Sequence, residues 1–299
     1  MTADTIHLFL NPTAGRGRAG KRQTRILELL EQRGIDVEYH TSQSPGHIEA
    51  RVLQHVDEGT KRIVVAGGDG SVHEAVNGIF RSDGNAALGV IPTGTGNDFA
   101  KACDIPLNWE HATSLLADRI AALESPRKMD VGRFNGRYFA NGAGIGFDAK
   151  VTHEAQSFRV PIGDLVYLLA IFKSMIDGIA SPQLRIVADD TLWEGSLTLA
   201  AICNGPWAGG MFQIAPMARN SDGRMDLVIV KPVTRRRILR LLPKLMGGEH
   251  MREPEIVHQF VTTLKIKAES PMPSHLDGEV QAPQTDFELT VLPGALQLL

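Results

Sequence analysis

Short apolar runs alternate with amphipathic stretches over the first part of the chain. The runs that have the length and composition of buried strands cover residues 6–10, 35–39, 63–66 and 88–91. Apolar residues at helical spacing begin near Gln23 and again near His47. This β-α-β-α-β alternation predicts a mainly parallel sheet with helices on its faces, in which ligands bind beyond the carboxyl ends of the strands.

The pattern changes near Asp130 to short strand-like runs separated by Gly, Asn, Asp and Pro. These runs cover residues 137–140, 184–188, 197–203, 225–230, 264–268 and 287–292. Helical spacing interrupts them at 163–179 and 234–246. We therefore expect two domains, an α/β domain over residues 1–128 and a β-rich sandwich domain over 129–299. The extreme C-terminus is a candidate to pack back on the first domain.

Composition and charge narrow the class of protein. Hydrophobic residues make up 43% of the 299 residues and charged residues 22%, which suffices for cores that need no disulfide or metal. A formal net charge of -3 gives no overall attraction for nucleic acid, so we expect no nucleic-acid partner. The distant Cys103 and Cys203 favour free, packed thiols in a reducing compartment.

No segment is typical of export or of membrane insertion. The first residues lack the basic region of a signal peptide. The most apolar later stretch, 165–175, is interrupted by Lys173 and is shorter than the roughly 20 apolar residues that span a bilayer. We expect a cytoplasmic protein whose membrane contact, if it has one, is peripheral.

A glycine-rich loop follows the third strand-like run, with the sequence Gly67-Gly68-Asp69-Gly70. Its glycines let the backbone turn sharply and approach a phosphate, and the helix that follows offers free N–H groups and a positive dipole end. The apolar face of that helix is formed by positions 72, 75, 76 and 79. Ser71 and Glu74 have the spacing of a capping box.

Asp69 is an unusual residue for a loop that binds phosphate. A carboxylate repels phosphates unless a divalent cation lies between them or unless the carboxylate orders the loop. A nucleotide with Mg²⁺ removes the conflict. A glycine-rich turn that uses Asp for turn chemistry explains the same residues without a ligand.

A second loop of similar composition follows the fourth run, with the sequence PTGTGNDFA from Pro92. The Thr95 hydroxyl is suited to contact a phosphate oxygen. Asn97 and Asp98 are suited to cap the following turn or to orient Asp69, and capping alone explains Asn97.

Together, NPTAG from Asn11, the GGDGS loop with its HEAVNG helix, and PTGTGNDFA resemble the catalytic domain of diacylglycerol kinases, specifically the bacterial YegS-like lipid kinases. YFANGAGIGFDAKV, the run at 202–216, the Asp222-Gly223 turn and the late Asp277-Gly278-Glu279 match in the same order, so the resemblance covers about residues 6–280. GGDG also occurs in NAD kinases and phosphofructokinases, but PTGTGNDFA and the late DGE favour lipid kinases. Many members carry threonine at the position of Ser71, and serine retains the hydroxyl.

The resemblance implies ATP as phosphate donor and Mg²⁺ with it, with Asp69 acting through the metal. No residue pattern distinguishes the base, so GTP is left open as the donor. The candidate nucleotide-binding residues are Asn11, Thr41, Gly67, Gly68, Asp69, Gly70, Ser71, Val72, Thr95 and Asn97. Arg16 and Arg18 follow the first strand, where their charge is suited to phosphates or headgroups or is simply solvated.

The resemblance also implies catalytic residues in the second domain. Glu279 matches the family's proposed general base, which takes the proton of the acceptor hydroxyl. Asp277 is expected to orient Glu279 or to help bind Mg²⁺, so Glu279, Asp69 and Asp277 form the candidate catalytic set. Without the resemblance, Glu279 is explained as a solvated carboxylate after an Asp-Gly turn.

A second, non-substrate cation site is implied at Asp222, with the backbone carbonyls of Arg219 and Arg224 as partners. Oxygen ligands of this kind suit Mg²⁺ or Ca²⁺. Turn chemistry between two strands explains the same residues.

The implied acceptor is a hydroxylated lipid, such as a diacylglycerol-like lipid, phosphatidylglycerol or a sphingoid base, met at the inner face of the membrane. The apolar stretch 207–214 is a candidate to line a lipid cleft or to pack in the core. The basic stretch 235–244 is typical of an interfacial helix and equally of a helix packed on its own sheet. A kinase of a soluble substrate, of the NAD kinase type, and a non-catalytic lipid-binding regulator remain alternatives, and a homodimer is left open.

Overall fold

The computed structural model describes residues 5–82, 86–158 and 163–299. These residues form two compact units. The first unit comprises the described residues up to Met129 together with Gly294–Leu299, and the second comprises those between Asp130 and Pro293.

The first unit follows the predicted alternation of strands and helices. Its elements are β1 (Ile6–Leu10), α1 (Ala14–Gly17), a 3-10 helix (Gly20–Arg22), α2 (Gln23–Glu31), β2 (Val37–Thr41), α3 (His47–Asp57), β3 (Arg62–Gly67), α4 (Asp69–Arg81), β4 (Ala87–Pro92), α5 (Asp98–Ala102) and α6 (Trp109–Ala121). Strand β5 (Arg127–Phe134) begins in this unit and ends in the second.

The sheet of the first unit is parallel, as predicted. Strand β1 pairs with β2 and with β3, and β3 pairs with β4, in the spatial order β4-β3-β1-β2. Gln297 and Leu298 near the C-terminus add a further parallel strand beside β4. Because all these strands run in one direction, their carboxyl ends meet at one edge, where the glycine-rich loops begin.

Strand β2 begins two residues later than its apolar run predicts. Ile35 is a buried residue of the turn that follows α2, and its N–H donates to the carbonyl of Leu30 at 3.3 Å. The run at 35–39 therefore combines a core contact of a turn with the start of a strand, and hydrophobicity alone does not separate the two.

The second unit consists mainly of antiparallel strands. Its elements are β6 (Arg137–Phe139), β7 (Gly142–Gly146), α7 (Phe147–Ser157), α8 (Leu165–Ile176), β8 (Gln183–Ala188), β9 (Thr191–Ser196), β10 (Leu199–Cys203), β11 (Trp207–Ala208), β12 (Phe212–Gln213), β13 (Met225–Val230), α9 (Arg235–Met246), a 3-10 helix (Glu249–Arg252), β14 (Ile256–Val261), β15 (Thr263–Leu276) and β16 (Glu279–Leu298). The last residues of β16 belong to the first unit.

Strand β15 gives the second unit its sandwich-like form. It pairs with β8 through residues 264–268 and with β7 through residues 274–276, and its pairing with β16 shifts register between Lys267 and Met272. The strand therefore bends between two parts of the sheet, around a core that includes Phe139, Ile202 and Phe287. An α/β unit followed by a β-rich sandwich is the predicted fold class, and it is confirmed.

Two further findings concern the helices and the cysteines. Within the described parts of the chain, no helix has the length and apolarity needed to cross a membrane. Cys103 and Cys203 are free and buried, and burial raises the pKa of the Cys103 thiol to about 12. A thiol with so high a pKa is unreactive, as expected for a packing residue.

Candidate active site

Three loops at the carboxyl ends of neighbouring strands contact one another in the first unit. They follow β1, β3 and β4. Asn11 Nδ2 donates to Ser71 Oγ at 3.2 Å, which joins the first loop to the start of α4. The N–H of Thr93 donates to the carbonyl of Gly67 at 2.9 Å, which joins the second loop to the third. The loops containing Asn11, GGDG and TGTGN thus form one cluster.

Glycine is required where the backbones of these loops meet. A Cβ on Gly94 would lie 2.5 Å from the Cα of Gly68, which is a clash between two main chains. Gly15 has a φ of +57°, and a Cβ there would lie 2.4 Å from the carbonyl oxygen of Thr93. The shape of the cluster in this chain therefore depends on backbone contacts that exclude side chains.

The N-terminus of helix α4 is left without a side-chain cap. Gly68 is its N-cap residue in an extended conformation and has no side chain that could cap the helix. The predicted apolar face is confirmed, since Val72, Ala75, Val76 and Ile79 are all buried. A 13-residue helix thus points its positive dipole end to the loop cluster, which suits phosphate oxygens.

The predicted capping box of Ser71 and Glu74 is wrong. Ser71 lies inside the first turn of α4, and Glu74 accepts hydrogen bonds from the N–H groups of Gly46 and Ile48, both at 2.9 Å. Glu74 therefore caps α3 instead of its own helix. The spacing rule considers only the N–H groups of the same helix, and here those of the neighbouring helix α3 bind the carboxylate.

Asp69 orders the loop cluster. Its Oδ1 accepts the N–H of Phe99 at 3.0 Å, which ties the start of α4 to helix α5. Asn97, at a φ of 52°, accepts the N–H of Gly94 through Oδ1 at 3.0 Å and so closes its own loop. Loop ordering by Asp69 was one of the two explanations for this carboxylate, and this contact supports it.

The remaining nucleotide candidates lie at the same edge of the sheet or in its loops. Thr41 ends the edge strand β2, and its hydroxyl donates to the Tyr39 hydroxyl at 2.7 Å. Thr95 is exposed in the third loop. Arg18 Nε donates to the carbonyl of Gly15 at 2.9 Å, so this arginine stabilises the first loop.

The candidate acidic residues Asp277 and Glu279 belong to the second unit. Asp277 and Gly278 both have positive φ and form a two-residue turn between β15 and β16. The Asp277 carboxylate accepts three backbone N–H groups, from residues 140, 141 and 142, at 3.0, 2.8 and 2.9 Å. Asp277 thus fixes the hairpin that carries the half-buried Glu279.

A pair of side chains that received no role from the sequence lies next to this turn. Asp148, in the first turn of α7, places Oδ2 3.5 Å from His275 Nε2. The other ring nitrogen of His275 faces the N–H of Gly278 at 3.3 Å. A Cβ on Gly144 would lie 1.8 Å from Asp148 Oδ2, so glycine makes the space for the pair. In the sequence, the only indication of this pair is the strand-to-helix junction before Asp148.

Asp222, also in the second unit, is paired with a neighbouring cation. Arg224 Nε donates to Asp222 Oδ2 at 3.1 Å. The turn is held in place by Asp130, whose Oδ2 accepts the N–H of Gly223 at 2.7 Å. A single carboxylate with carbonyl oxygens is the donor type that Mg²⁺ or Ca²⁺ prefers, but a cation here must displace the Arg224 guanidinium.

Comparison with known proteins agrees with this architecture. Residues 5–134 match the family model of the diacylglycerol kinase catalytic domain. Residues 142–299 match that of the YegS C-terminal NAD kinase beta sandwich-like domain. A crystal structure of a diacylglycerol kinase from Bacillus anthracis str. Sterne has the same fold, with a TM-score of 0.75 at 21% identity over 100% of this chain and 97% of that one.

Curated relatives match over nearly the whole chain. A diacylglycerol kinase of Bacillus subtilis (strain 168) is 30% identical over 91% of this chain and 88% of its own length. A Pseudomonas aeruginosa protein of strain PAO1, named "probable lipid kinase YegS-like", is 31% identical over 94% of this chain and 90% of its own. The chain therefore belongs to the diacylglycerol kinase catalytic-domain family and carries that family's YegS-type C-terminal domain.

Proposed function

We propose that this chain is an ATP-dependent lipid kinase that transfers the γ-phosphate of ATP to a hydroxyl group of a lipid. The observation that carries the proposal is the cluster of three strand-end loops at the uncapped start of α4, in a member of a lipid kinase family. Phosphoryl transfer needs phosphates held in line, neutralised phosphate charge and an oriented acceptor. A loop cluster of this kind meets the first of these needs.

The first unit binds the nucleotide in this proposal. The phosphates contact the loop from Gly67 to Val72, where the glycines admit close approach. The other proposed contacts are Asn11, Thr41, Thr95 and Asn97. Asp69 is already fixed by Phe99, so it presents its carboxylate in a set orientation to a phosphate-bound Mg²⁺. The metal supplies neutralisation of the phosphate charge when it is bound.

The second unit acts on the acceptor. Glu279 takes the proton of the lipid hydroxyl while that oxygen bonds to the γ-phosphorus and the bond to the bridging oxygen of ADP breaks. Asp277 is a positioning residue, because three backbone N–H groups already occupy its carboxylate. The Asp222 turn, with Arg219 and Arg224, remains a proposed structural site for Mg²⁺ or Ca²⁺, loaded only when Arg224 moves aside.

An exposed apolar helix face supports contact with a bilayer. Helix α8 buries Ala170, Ile171 and Met175 and turns its opposite side outward. The exposed side chains are Leu165 at 52%, Leu169 at 42%, Phe172 at 47% and Ile176 at 75%. Their spacing of four, three and four residues makes a continuous stripe on one face, as in helices that lie in a membrane interface.

Helix α9, which is rich in arginine, contacts the end of that stripe through Arg235. Arg235 donates to the carbonyl of Ile176 at 3.2 Å, and Arg236 and Arg240 are exposed. Arg237 instead pairs with Glu255 at 2.7 Å, so only part of the basic stretch faces solvent. Exposed arginines next to an apolar stripe fit a membrane that contains anionic lipid. We propose that the protein meets its lipid substrate by lying on such a surface.

Transfer of labelled γ-phosphate tests the substrate class. The full-length protein is incubated with labelled ATP, Mg²⁺ and a total lipid extract, and in parallel with soluble acceptors such as NAD. We expect the label in the lipid fraction. Label in the soluble acceptor alone would favour the NAD kinase-like alternative, and lipid binding without any transfer would favour the non-catalytic regulator.

A further inference from the structure

A group of imidazoles lies on the first unit, at residues to which neither the family nor the proposed reaction gives a role. His7 on β1, Glu38 and His40 on β2, and His55 on α3 each offer a ligand atom, and these atoms all lie within 4.8 Å of one another. We call these four residues the imidazole cluster. Among the described residues it is the one group of three or more His, Cys, Asp or Glu side chains with this property.

The parallel register of β1 and β2 builds the cluster. His7 pairs with Glu38, and Phe9 pairs with His40, so alternate residues of both strands point to the same face. Helix α3 covers that face and adds His55, whose ring centroid lies 4.3 Å from that of His7 and 4.6 Å from that of His40. Three elements thus converge on one point.

Two of the four ligand atoms already have the spacing of a tetrahedral transition-metal site. His7 Nδ1 lies 3.2 Å from His40 Nε2, and the Glu38 oxygens lie 3.7 Å from the former and 3.5 Å from the latter. In a tetrahedral zinc site with bonds of ~2.0–2.1 Å, neighbouring ligand atoms are ~3.3–3.4 Å apart. The two Glu38 distances involve different oxygens, and the His55 ligand atom lies within 4.8 Å of the others, so Glu38 and His55 must move closer to place four ligands around one ion.

The chemistry of the ligands selects the metal. Three imidazoles and one carboxylate suit Zn²⁺ and related late transition metals, whereas Mg²⁺ and Ca²⁺ prefer sets of oxygen ligands. The three imidazole side chains are 13%, 12% and 7% exposed for His7, His40 and His55, so few waters compete for the ion. Glu38 is 54% exposed and provides a path for the ion to enter.

We propose that His7, Glu38, His40 and His55 form a binding site for a divalent transition metal such as Zn²⁺. With four protein ligands the site is closed, as structural and regulatory zinc sites are. Binding would tie β1, β2 and α3 together next to Thr41, at the end of β2. None of the four residues takes part in the proposed kinase reaction. The geometry and donor chemistry of the ligands define the site.

Charged neighbours of His55 tune this site. Arg51 Nη2 lies 3.2 Å from His55 Nε2, and Glu58 Oε2 lies 3.5 Å from His55 Nδ1. The arginine places a positive charge beside the bound dication and competes for an imidazole lone pair. Arg51→Gln is therefore expected to raise the affinity for Zn²⁺ severalfold.

Metal binding to the full-length protein tests the site directly. The chelator-treated protein is titrated with Zn²⁺ in excess Mg²⁺, which occupies oxygen-ligand sites, and Co²⁺ is used for its visible spectrum. We expect one Zn²⁺ per chain, a four-coordinate Co²⁺ spectrum and a higher Tm with Zn²⁺ than with Mg²⁺ alone. His40→Gln and Glu38→Gln should each weaken Zn²⁺ binding by about tenfold or more.

His111→Gln is the matched control, because His111 is an exposed histidine on α6 of the same unit. We expect its Zn²⁺ affinity to equal that of the wild type. Glu38→Gln decides the result if His40→Gln does not fold, since the Glu38 side chain is mostly exposed. Wild-type affinity in Glu38→Gln, or equal stabilisation by Mg²⁺ and Zn²⁺, would overturn the proposal.

Discussion

At the scale of single residues, the loop cluster depends on Gly94. Its missing Cβ is what lets the third loop touch Gly68, and an added methyl would lie 2.5 Å from that Cα and 2.8 Å from Asn97 Oδ1. Neither the main chain of Gly68 nor the hydrogen-bonded side chain of Asn97 can move aside easily. The phosphate-binding shape is therefore a property of backbone packing more than of any side chain.

Gly94→Ala should accordingly distort both loops. We expect a loss of ~1–3 kcal/mol in the free energy of unfolding, typical of overpacking, together with weaker ATP binding. Urea denaturation and calorimetric titration with ATP measure the two effects. Gly20→Ala is the control, because its Cβ meets only ordinary contacts at 3.5 Å. Equal stability and ATP affinity in the two variants would show that the loop contact is unimportant.

Asp277 is the second residue whose role follows from its contacts. Asp277→Asn removes the charge and turns an NH₂ group toward backbone donors from residues 140–142. A hydrogen bond to a charged group contributes about 1.5–3 kcal/mol, so we expect a loss of stability of that order. Because the change displaces Glu279 and leaves the nucleotide loops intact, kcat should fall while the KM for ATP stays nearly constant.

Asp190→Asn, at an exposed turn position of the same unit, is the control for this substitution. Its kcat and unfolding midpoint should both match the wild type. A rise in the KM for ATP without a change in kcat in Asp277→Asn would contradict the positioning role and would point to a direct part in nucleotide binding.

At the scale of elements, helix α8 has one face that the described residues of its own unit leave exposed. Replacing Phe172 and Ile176 together by Ser removes two of the four exposed side chains of the stripe and leaves the buried face of the helix unchanged. We expect at least about tenfold weaker association with vesicles that contain anionic phospholipid, because apolar area no longer enters the interface. Vesicle sedimentation measures the effect, with unfolding midpoints as a check on the fold.

Leu192→Ser is the matched control, since Leu192 is 51% exposed on β9, away from helix α8 in sequence. It should bind vesicles as the wild type does. Unchanged binding in the double variant would mean that the stripe has some other partner.

The elements also show how far the sequence predicts the fold. Strand β1 and the starts of α2 and α3 are predicted to the residue, because each is a local pattern with a clear boundary. Strands β15 and β16 are predicted only in part. They contain prolines, as at Pro271 and Pro283, and register shifts that interrupt any simple alternation. Pairing with distant strands extends them, and local sequence does not contain that information.

Part of the candidate site likewise follows from the sequence, and part does not. The motif residues of the three loops were identified from their composition, and the structure joins Asn11, Gly68 and Thr93 in one cluster. The exchange of caps between Glu74 and α3, and the pairing of Asp148 with His275, join residues far apart in sequence. Such contacts arise from tertiary packing, and no spacing rule predicts them.

At the scale of the whole molecule, the proposed reaction divides between the two units. The first supplies glycine-rich loops and a helix terminus for phosphates, and the second supplies a rigid hairpin that presents Glu279. Each unit has its own core, so a substitution in the loops or in the hairpin should leave the function of the other unit measurable. Nucleotide binding and phosphoryl transfer can therefore be separated by experiment.

The most direct test of the account compares Glu279→Gln with Glu269→Gln in the transfer of labelled γ-phosphate to lipid. Glu269 is an exposed glutamate on β15, the strand that pairs with β16, so it controls for the loss of one carboxylate. We predict that Glu279→Gln lowers kcat by ~10²–10⁴-fold, as expected for loss of a general base, with ATP affinity and unfolding midpoint unchanged. Glu269→Gln should keep full activity. Wild-type transfer by Glu279→Gln would contradict the account.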